Sequence, residues 1–215
     1  MTARQTRPRI GAKQLHYPID FRDMRMDMTA LEKRLLQLEA RDNIRTLGAC
    51  YGVAVDDHDL DGIAALFASE AVFRSQDGVM EAHGRDQIVN QFVARFAVLG
   101  ISNHVSHDHI ITLDEHDPQR ARGLLTAHAE MWRNGRAYIA ALRYRDEYVV
   151  EEGRWRFGKR ELAFLYYLPV AEYADALGSP LRQRAYGDHR PADFPEGLEN
   201  WKDYRATGVG GDTTG

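Results

Sequence analysis

Cysteine is almost missing from this 215-residue chain. Cys50 stands alone, which excludes an intramolecular disulfide framework and any metal site built on cysteine thiolates. Long apolar runs are missing too: none approaches the ~18 residues that a membrane-spanning helix needs. Charge of one sign is not in excess, since 28 Lys and Arg face 32 Asp and Glu for a formal net charge of −4. A nucleic-acid footprint is therefore not expected. There is no Gly-rich phosphate loop and no nucleophile elbow. Met1–Arg9 is basic but lacks the apolar stretch of a signal peptide. What the chain does have is 44% hydrophobic and 10% aromatic residues, enough for a packed core. These features point to a soluble, cytoplasmic α+β protein.

The order of elements can be read from periodicity. Residues 1–28 carry no sustained period and are expected to form an extended arm. Thr29 and Glu32 fit a capping box ahead of a helix with Leu31, Leu35 and Leu38 at helical spacing. A second helix near 41–57 places Ile44, Leu47, Tyr51, Ala54 and Val55 on one face. Asp59 can cap a third, holding Ile63, Leu66 and Phe67. Ala71–Phe73 and Val79–His83 read as strands around an Asp77-Gly78 turn, and 85–99 returns to helical period. Segments 102–114, 121–133, 136–150 and 154–167 read as four long strands, with Asn134-Gly135 a strong hairpin signal. The order ααα-ββ-α-ββββ separates helices from an antiparallel sheet, the α+β pattern. The folded domain is thus expected over 29–168. An extension over 169–215 follows, with a short helix at 170–177 and no structure beyond Trp201.

Two metal patterns can be weighed on spacing. Asp57, Asp59, Asp61 and Gly62 mimic the start of a calcium loop, but the position that needs Glu is Ala68, and helix capping explains the acids better. His107-x-His109 places two imidazoles on one face of a regular strand, without an assured third ligand. No metal and no organic cofactor is expected. Strict alternation also puts His104, Ser106 and Asp108 on one face, and Thr126, His128 and Glu130 on one face of the next strand. Cys50 is expected as a small packed residue within a helix.

Several stretches resemble the SnoaL-like branch of the nuclear-transport-factor-2-like superfamily: Ile44–Phe73, Gly84–Ile88, His104–Asp114 and Gly153–Arg160. Together the resemblance spans about residues 31–167. It implies a curved sheet wrapped into a cone, helices closing one side, and a largely apolar pocket inside. Members of the superfamily include scytalone dehydratase, ketosteroid isomerase, polyketide cyclases, a dehydrochlorinase and dioxygenase β subunits. They share a pocket rather than a reaction.

By this resemblance Asp56 is a cavity-facing acid and His104 the histidine that pairs with it, while His128 matches a second cavity histidine. A carboxylate on an imidazole fixes its tautomer and raises its basicity. The tyrosines of the dehydratase pattern are replaced by Val55 and by Phe73 or Arg74, and Tyr51 could substitute as a donor. Arg160, Asp108, Trp132, Phe73, Tyr144 and Tyr166 are candidates to line the pocket. The implied activity is a cofactor-independent, dehydratase-type lyase acting on a bulky aromatic or apolar molecule. It is similar in logic to bacterial lyases of lignin-derived diarylpropane diols, in which elimination can precede carbon–carbon cleavage. Two alternatives stay open: an isomerase with Asp108 or Glu130 as base and Tyr51 or Tyr144 as donor, and a non-catalytic binding or dioxygenase-β-subunit role. The resemblance also implies a homodimer or homotrimer formed through the sheet. The aromatic-rich stretch Leu162–Leu168, with Tyr173, Tyr186, Phe194 and Trp201, offers flat surfaces to a ring-shaped ligand or to packing.

Overall fold

A computed structural model describes residues 28–208. The expected arm therefore lies outside the described residues except for Met28, as does the stretch from 209 onward. Six helices or helical turns and six strands follow in the order α1 (Met28–Asp56), α2 (Leu60–Leu66), β1 (Phe67–Ser75), β2 (Glu81–His83), α3 (Arg85–Phe96), β3 (Leu99–Leu113), β4 (Arg120–Arg133), β5 (Arg136–Glu151), β6 (Arg154–Pro169), a 3₁₀ turn (Val170–Glu172), α4 (Tyr173–Ala176) and α5 (Glu199–Ala206). The four long strands fall where alternation and turn residues put them. Asn134-Gly135 and Glu152-Gly153 take left-handed φ at 49°, 76°, 54° and 74°, which lets each hairpin turn tightly.

Three expectations are corrected. The first two helices are one: α1 runs unbroken for 29 residues, because no glycine or proline interrupts it near residue 40. Thr29 consequently lies in its first turn rather than ahead of it. Leu31, Leu35, Leu36 and Leu38 follow helical spacing yet stay exposed, so only the half from Ile44 onward packs on the sheet. Around Trp201, beyond which no structure is expected, the chain forms the exposed helix α5, which ends at Ala206. Cys50 sits in α1 as expected but on its exposed side.

The sheet order is β2-β1-β6-β5-β4-β3, open at both ends. Every pairing is antiparallel except β1 with β6, which run parallel. Extra residues interrupt these antiparallel registers at four places: in β3 between Leu99 and Ser102 and between Ser106 and His109, and in β6 opposite Ala141/Leu142 and opposite Glu147/Tyr148. Such bulges bend strands and sharpen twist, which curves the sheet around one face. The helices cover that inner face. Asp59 caps α2 by accepting from the Gly62 amide at 2.8 Å, so the acids that mimic a calcium loop include a helix cap.

The densest part of the core is aromatic. Tyr51, Phe67, Phe73, Phe92 and Phe157 meet edge to face or tilted at 5.2–6.5 Å between ring centres. Into it Arg160 projects, fully buried, with its guanidinium 4.0–4.2 Å from the centres of the Tyr51, Tyr144 and Phe157 rings. It donates twice to Asp146, Nε at 3.0 Å and Nη2 at 2.9 Å, and both side chains are fully shielded from solvent. Burial alone would weaken the guanidinium's hold on its proton, but the Asp146 carboxylate outweighs it and keeps Arg160 charged. Tyr148 donates to the same carboxylate at 2.8 Å. His109 shares the Tyr148 hydroxyl at 2.9 Å, and burial holds its pKa down at about 4, so the ring is neutral. Gly123 makes room for this group: a Cβ there would lie 2.8 Å from the Tyr148 ring and hydroxyl and 3.0 Å from His109 Nε2.

Candidate active site

The site begins with small residues on α1. Gly48, Gly52 and Asp56 are four apart and so share one helix face. A Cβ on Gly52 would stand 3.4 Å from the His104 Cβ and 3.5 Å from its carbonyl oxygen, so the absent side chain lets the helix lie against β3. One turn on, Asp56 reaches three donors of β3. The Ser102 hydroxyl reaches Oδ1 at 2.7 Å, the His104 amide reaches Oδ2 at 2.7 Å, and His104 Nδ1 stands 2.6 Å from Oδ1. Asp56 is the last residue of a helix, where the helix dipole disfavours a carboxylate. Burial also opposes its charge, yet the hydrogen bonds from His104 and Ser102 prevail and hold its pKa below the ordinary carboxylate value. An ionised carboxylate can only accept, so Nδ1 carries a hydrogen, and in the neutral ring that tautomer leaves Nε2 as a bare lone pair.

His104 borders a cavity of about 410 Å³. Its register partners explain the space. His104, Ala129, Ala140 and Tyr167 lie in one row across β3, β4, β5 and β6. Two alanines thus separate the histidine from the tyrosine and leave a floor without bulk. Met131, Leu142, Leu162, Phe164 and Val55 complete the apolar wall, with Tyr144 on the same lining. Burial pushes the Tyr144 phenol well above its ordinary pKa, so it stays protonated as a donor. Arg133 donates to the Tyr167 hydroxyl at 3.2 Å, and Tyr167 donates in turn to Met131 Sδ at 3.4 Å, a weak acceptor that a polar ligand can replace. Gln91 and Arg95 of α3 also border the cavity.

The extension after β6 closes one side. Beyond Leu162, where the pairing of β6 with β1 ends, β6 bonds to returning chain instead. Tyr167 exchanges backbone bonds with Arg182 and Arg184, while the Phe164 carbonyl accepts from the Asp193 amide and the Phe164 amide donates to Asp193 Oδ2. Arg182 is clamped to Glu196 at 2.7 and 3.0 Å. This strap brings Ala185 and Tyr186 to the cavity lining.

The candidates from sequence therefore divide. Asp56, His104 and Tyr144 meet at or beside the cavity. Tyr51, Phe73 and Arg160 belong to the buried aromatic cluster behind it. Burial raises the Tyr51 pKa against the opposing pull of Arg95 and Arg160. His128 does not join His104: odd-numbered residues of β4 face inward, so His128 lies on the outer face, its Nδ1 2.7 Å from His107 Nε2. Burial and the neighbouring His107 both lower its pKa. Trp132 is 52% exposed on that same outer side, and Tyr166 packs there against Tyr173 and His128.

The bulge corrects the reading of β3. Ser106 pairs with Ala127 and His109 with Leu125, so one extra residue sits between them and reverses the alternation. His109 turns inward, His107 outward, and Asp108 is exposed in the bulge. The two imidazoles once read as sharing a face are on opposite ones. Asp108 and Glu130, the carboxylates considered as isomerase bases, are both exposed outside the cavity. Among the described residues no three His, Cys, Asp or Glu side chains cluster as a metal-binding group, and no helix is long and apolar enough to cross a membrane. Sequence reasoning missed Ser102, Gln91, Arg95, Arg133 and the role of Tyr167. Only the four-residue spacing of Gly48, Gly52 and Asp56 signalled the close helix–strand approach.

Comparison with known proteins bears on this architecture. No curated protein sequence matches the chain. Among solved structures, a candidate scytalone dehydratase from Novosphingobium aromaticivorans DSM 12444 superposes with TM-score 0.57 at 20% identity, over 62% of this chain and 89% of that one. A type 2 hexachlorocyclohexane dehydrochlorinase, LinA, gives 0.59 at 16% identity over 64% and 93%. The β subunit of a candidate aromatic-ring-hydroxylating dioxygenase from the same Novosphingobium strain gives 0.52 at 21% identity over 60% and 91%. At such identities the likeness is one of fold. The sequence of residues 36–161 itself matches the SnoaL-like domain, from the packed half of α1 through the strand that carries Arg160, and the chain belongs to that family.

Proposed function

We propose that this protein is a lyase that eliminates water, or a comparable leaving group, from a bulky aromatic or apolar small molecule by acid–base chemistry. The observation that carries this reading is the Asp56–His104 pair, with Nε2 left bare, at the wall of an apolar cavity. Nε2 takes a proton from the substrate, either from carbon beside the leaving group or from a para-hydroxyl conjugated with it. The electron pair forms the new double bond, the carbon–oxygen bond breaks, and the departing oxygen takes a proton to leave as water. Tyr144, Tyr167 and Tyr186 are the cavity phenols able to give that proton. Asp56 accepts no proton in the cycle; it holds the imidazole and balances its charge once protonated. On a para-hydroxyaryl alcohol the product is a quinone methide, an electron sink for a following carbon–carbon cleavage. The dehydratase and dehydrochlorinase folds noted above fit elimination chemistry on such a scaffold.

Incubation with para-hydroxyaryl propane diols tests the reading by product mass. Elimination lowers the mass by one water, whereas isomerisation leaves it unchanged. His104→Ala should abolish turnover while the protein stays folded. Undiminished turnover in that variant would refute the assignment, and a stable complex with a large partner would favour the subunit role instead.

A further inference from the structure

Arg95 and Arg133 both border the cavity that His104 lines, and neither forms an ion pair with any carboxylate among the described residues. A guanidinium has five N–H donors. Arg95 gives one to Met80 Sδ at 3.1 Å and rests 5.2 Å from the Phe92 ring centre. Arg133 gives one to the Tyr167 hydroxyl at 3.2 Å. Four other sheltered arginines of this molecule are matched, Arg160 with Asp146, Arg156 with Glu152, Arg182 with Glu196 and Arg184 with Glu172, whereas half-buried Arg41 and Arg143, neither of which lines the cavity, bond to the Gln37 carbonyl and rest on the Phe194 ring. The one acid on the cavity lining, Glu81, pairs with His83 at 2.7 Å on the exposed hairpin. Two half-buried cations without counter-charge are costly unless a ligand brings the charge.

We propose that Arg95 and Arg133 receive a carboxylate of the substrate, so that the molecule taken is an aryl or similarly apolar carboxylic acid. The identity of the reacting end rests on the lyase reading above; the anion site itself does not. Spacing sets the size. Arg133 lies four residues along β4 from Ala129, the register partner of His104, which is about 13 Å of strand. The floor between them, at Met131, is apolar. Allowing for the reach of both side chains, at least one ring separates the carboxylate from the reacting carbon. Gln91 Oε1, shielded on the same lining and without a hydrogen-bond partner, suits a hydroxyl donor on that ring.

Equilibrium binding of trans-cinnamate and its neutral isostere cinnamamide to the full chain tests the site. Charge-assisted bonds to the two arginines should make cinnamate bind about tenfold tighter or better, with the preference shrinking as ionic strength rises. Arg95→Met and Arg133→Met should each reduce that preference, and the double variant should abolish it, with an unchanged circular dichroism spectrum and thermal melt reporting a sound fold. Arg133→Lys should retain part of it. Equal affinity for the two probes in the unaltered protein, no binding of either, or a preference that survives the double variant would overturn the proposal. Turnover is read separately. Cinnamate preference without elimination on any alcohol would refute the lyase reading and leave the anion site standing; His104-dependent elimination of neutral diols without cinnamate preference would do the reverse.

Discussion

Asp56→Asn alters one atom and should reverse the chemistry of a ring it does not belong to. In the native site Oδ1 accepts from Ser102 Oγ and His104 Nδ1, and Oδ2 accepts from the His104 amide. Asparagine must place an NH₂ group on one of these sides. Toward the backbone amide it would oppose donor to donor and leave a sheltered N–H unmet, at about 1–3 kcal/mol. Toward Oδ1 it meets a hydroxyl that can turn round and an imidazole that can change tautomer. The second arrangement wins on energy, so Nδ1 becomes the acceptor and the ring hydrogen moves to Nε2. The base then presents a donor to the substrate. A positioned general base contributes about 10²–10⁴-fold, and that is the expected loss of kcat, with the fold retained. Turnover of a para-hydroxyaryl diol measures the rate, and nitrogen NMR of labelled histidine reads the tautomer directly. Because the folded pKa of Asp56 lies below its ordinary value, its contribution to stability is full above that value, near pH 4, and fades as pH falls through the lower folded pKa. The stability gap between native protein and variant should therefore close in acid. Activity within about threefold of native, or a native ring already protonated on Nε2, would refute this account.

Other perturbations follow from the same geometry. Gly52→Leu should push α1 off β3 at the point where only 3.4 Å is available, and lower kcat much as Asp56→Asn does while circular dichroism keeps the helix and sheet signals; unchanged kcat would show that the close approach is not needed. Ala140→Leu should fill the row between His104 and Tyr167 and cut kcat/KM about tenfold or more with little change in Tm, checked by steady-state kinetics beside a thermal melt. Arg160→Met should cost about 3–5 kcal/mol in urea unfolding, because Asp146 would remain buried without its cation; a loss below about 1 kcal/mol would mean that the aromatic cluster, not the ion pair, holds this part of the core.

Much of this architecture is legible in the sequence, for identifiable reasons. The strands from Leu99 to Pro169 alternate over long stretches, and the last two of their three hairpins carry Asn-Gly and Glu-Gly at positions with left-handed φ, so local chemistry and tertiary structure agree there. The Asp56–His104 pairing follows from family resemblance, and no spacing rule would have joined residues 48 positions apart. The two expected helices have no seam between them, because the chain from Leu38 to Ile44 holds no glycine or proline to stop α1. The parallel β1–β6 pair is long-range and leaves no local mark. The strap over the cavity reads as loop because it bonds to β6 through Arg182, Arg184 and Asp193, and pairs with itself at a single Gln183–Arg190 bridge too short to leave a strand pattern.

The histidines are the sharpest case. Four of them, His104, His107, His109 and His128, sit on two adjacent strands, and strict alternation puts the middle two on one face. A single extra residue between Ser106 and His109 sends His107 out to His128 and His109 in to Tyr148. Sequence alone carries no mark of that residue, because a bulge is chosen by what the partner strand can accept. Here the partner offers Gly123, whose missing side chain admits both His109 and Tyr148 to the interior. The outcome separates three environments: a neutral structural imidazole at His109, an exposed imidazole pair at His107 and His128, and one carboxylate-oriented imidazole at His104. Of these, only His104 combines an ionised partner on one nitrogen with a place on the cavity lining for the ring, and that combination is what acid–base chemistry on a bound molecule requires.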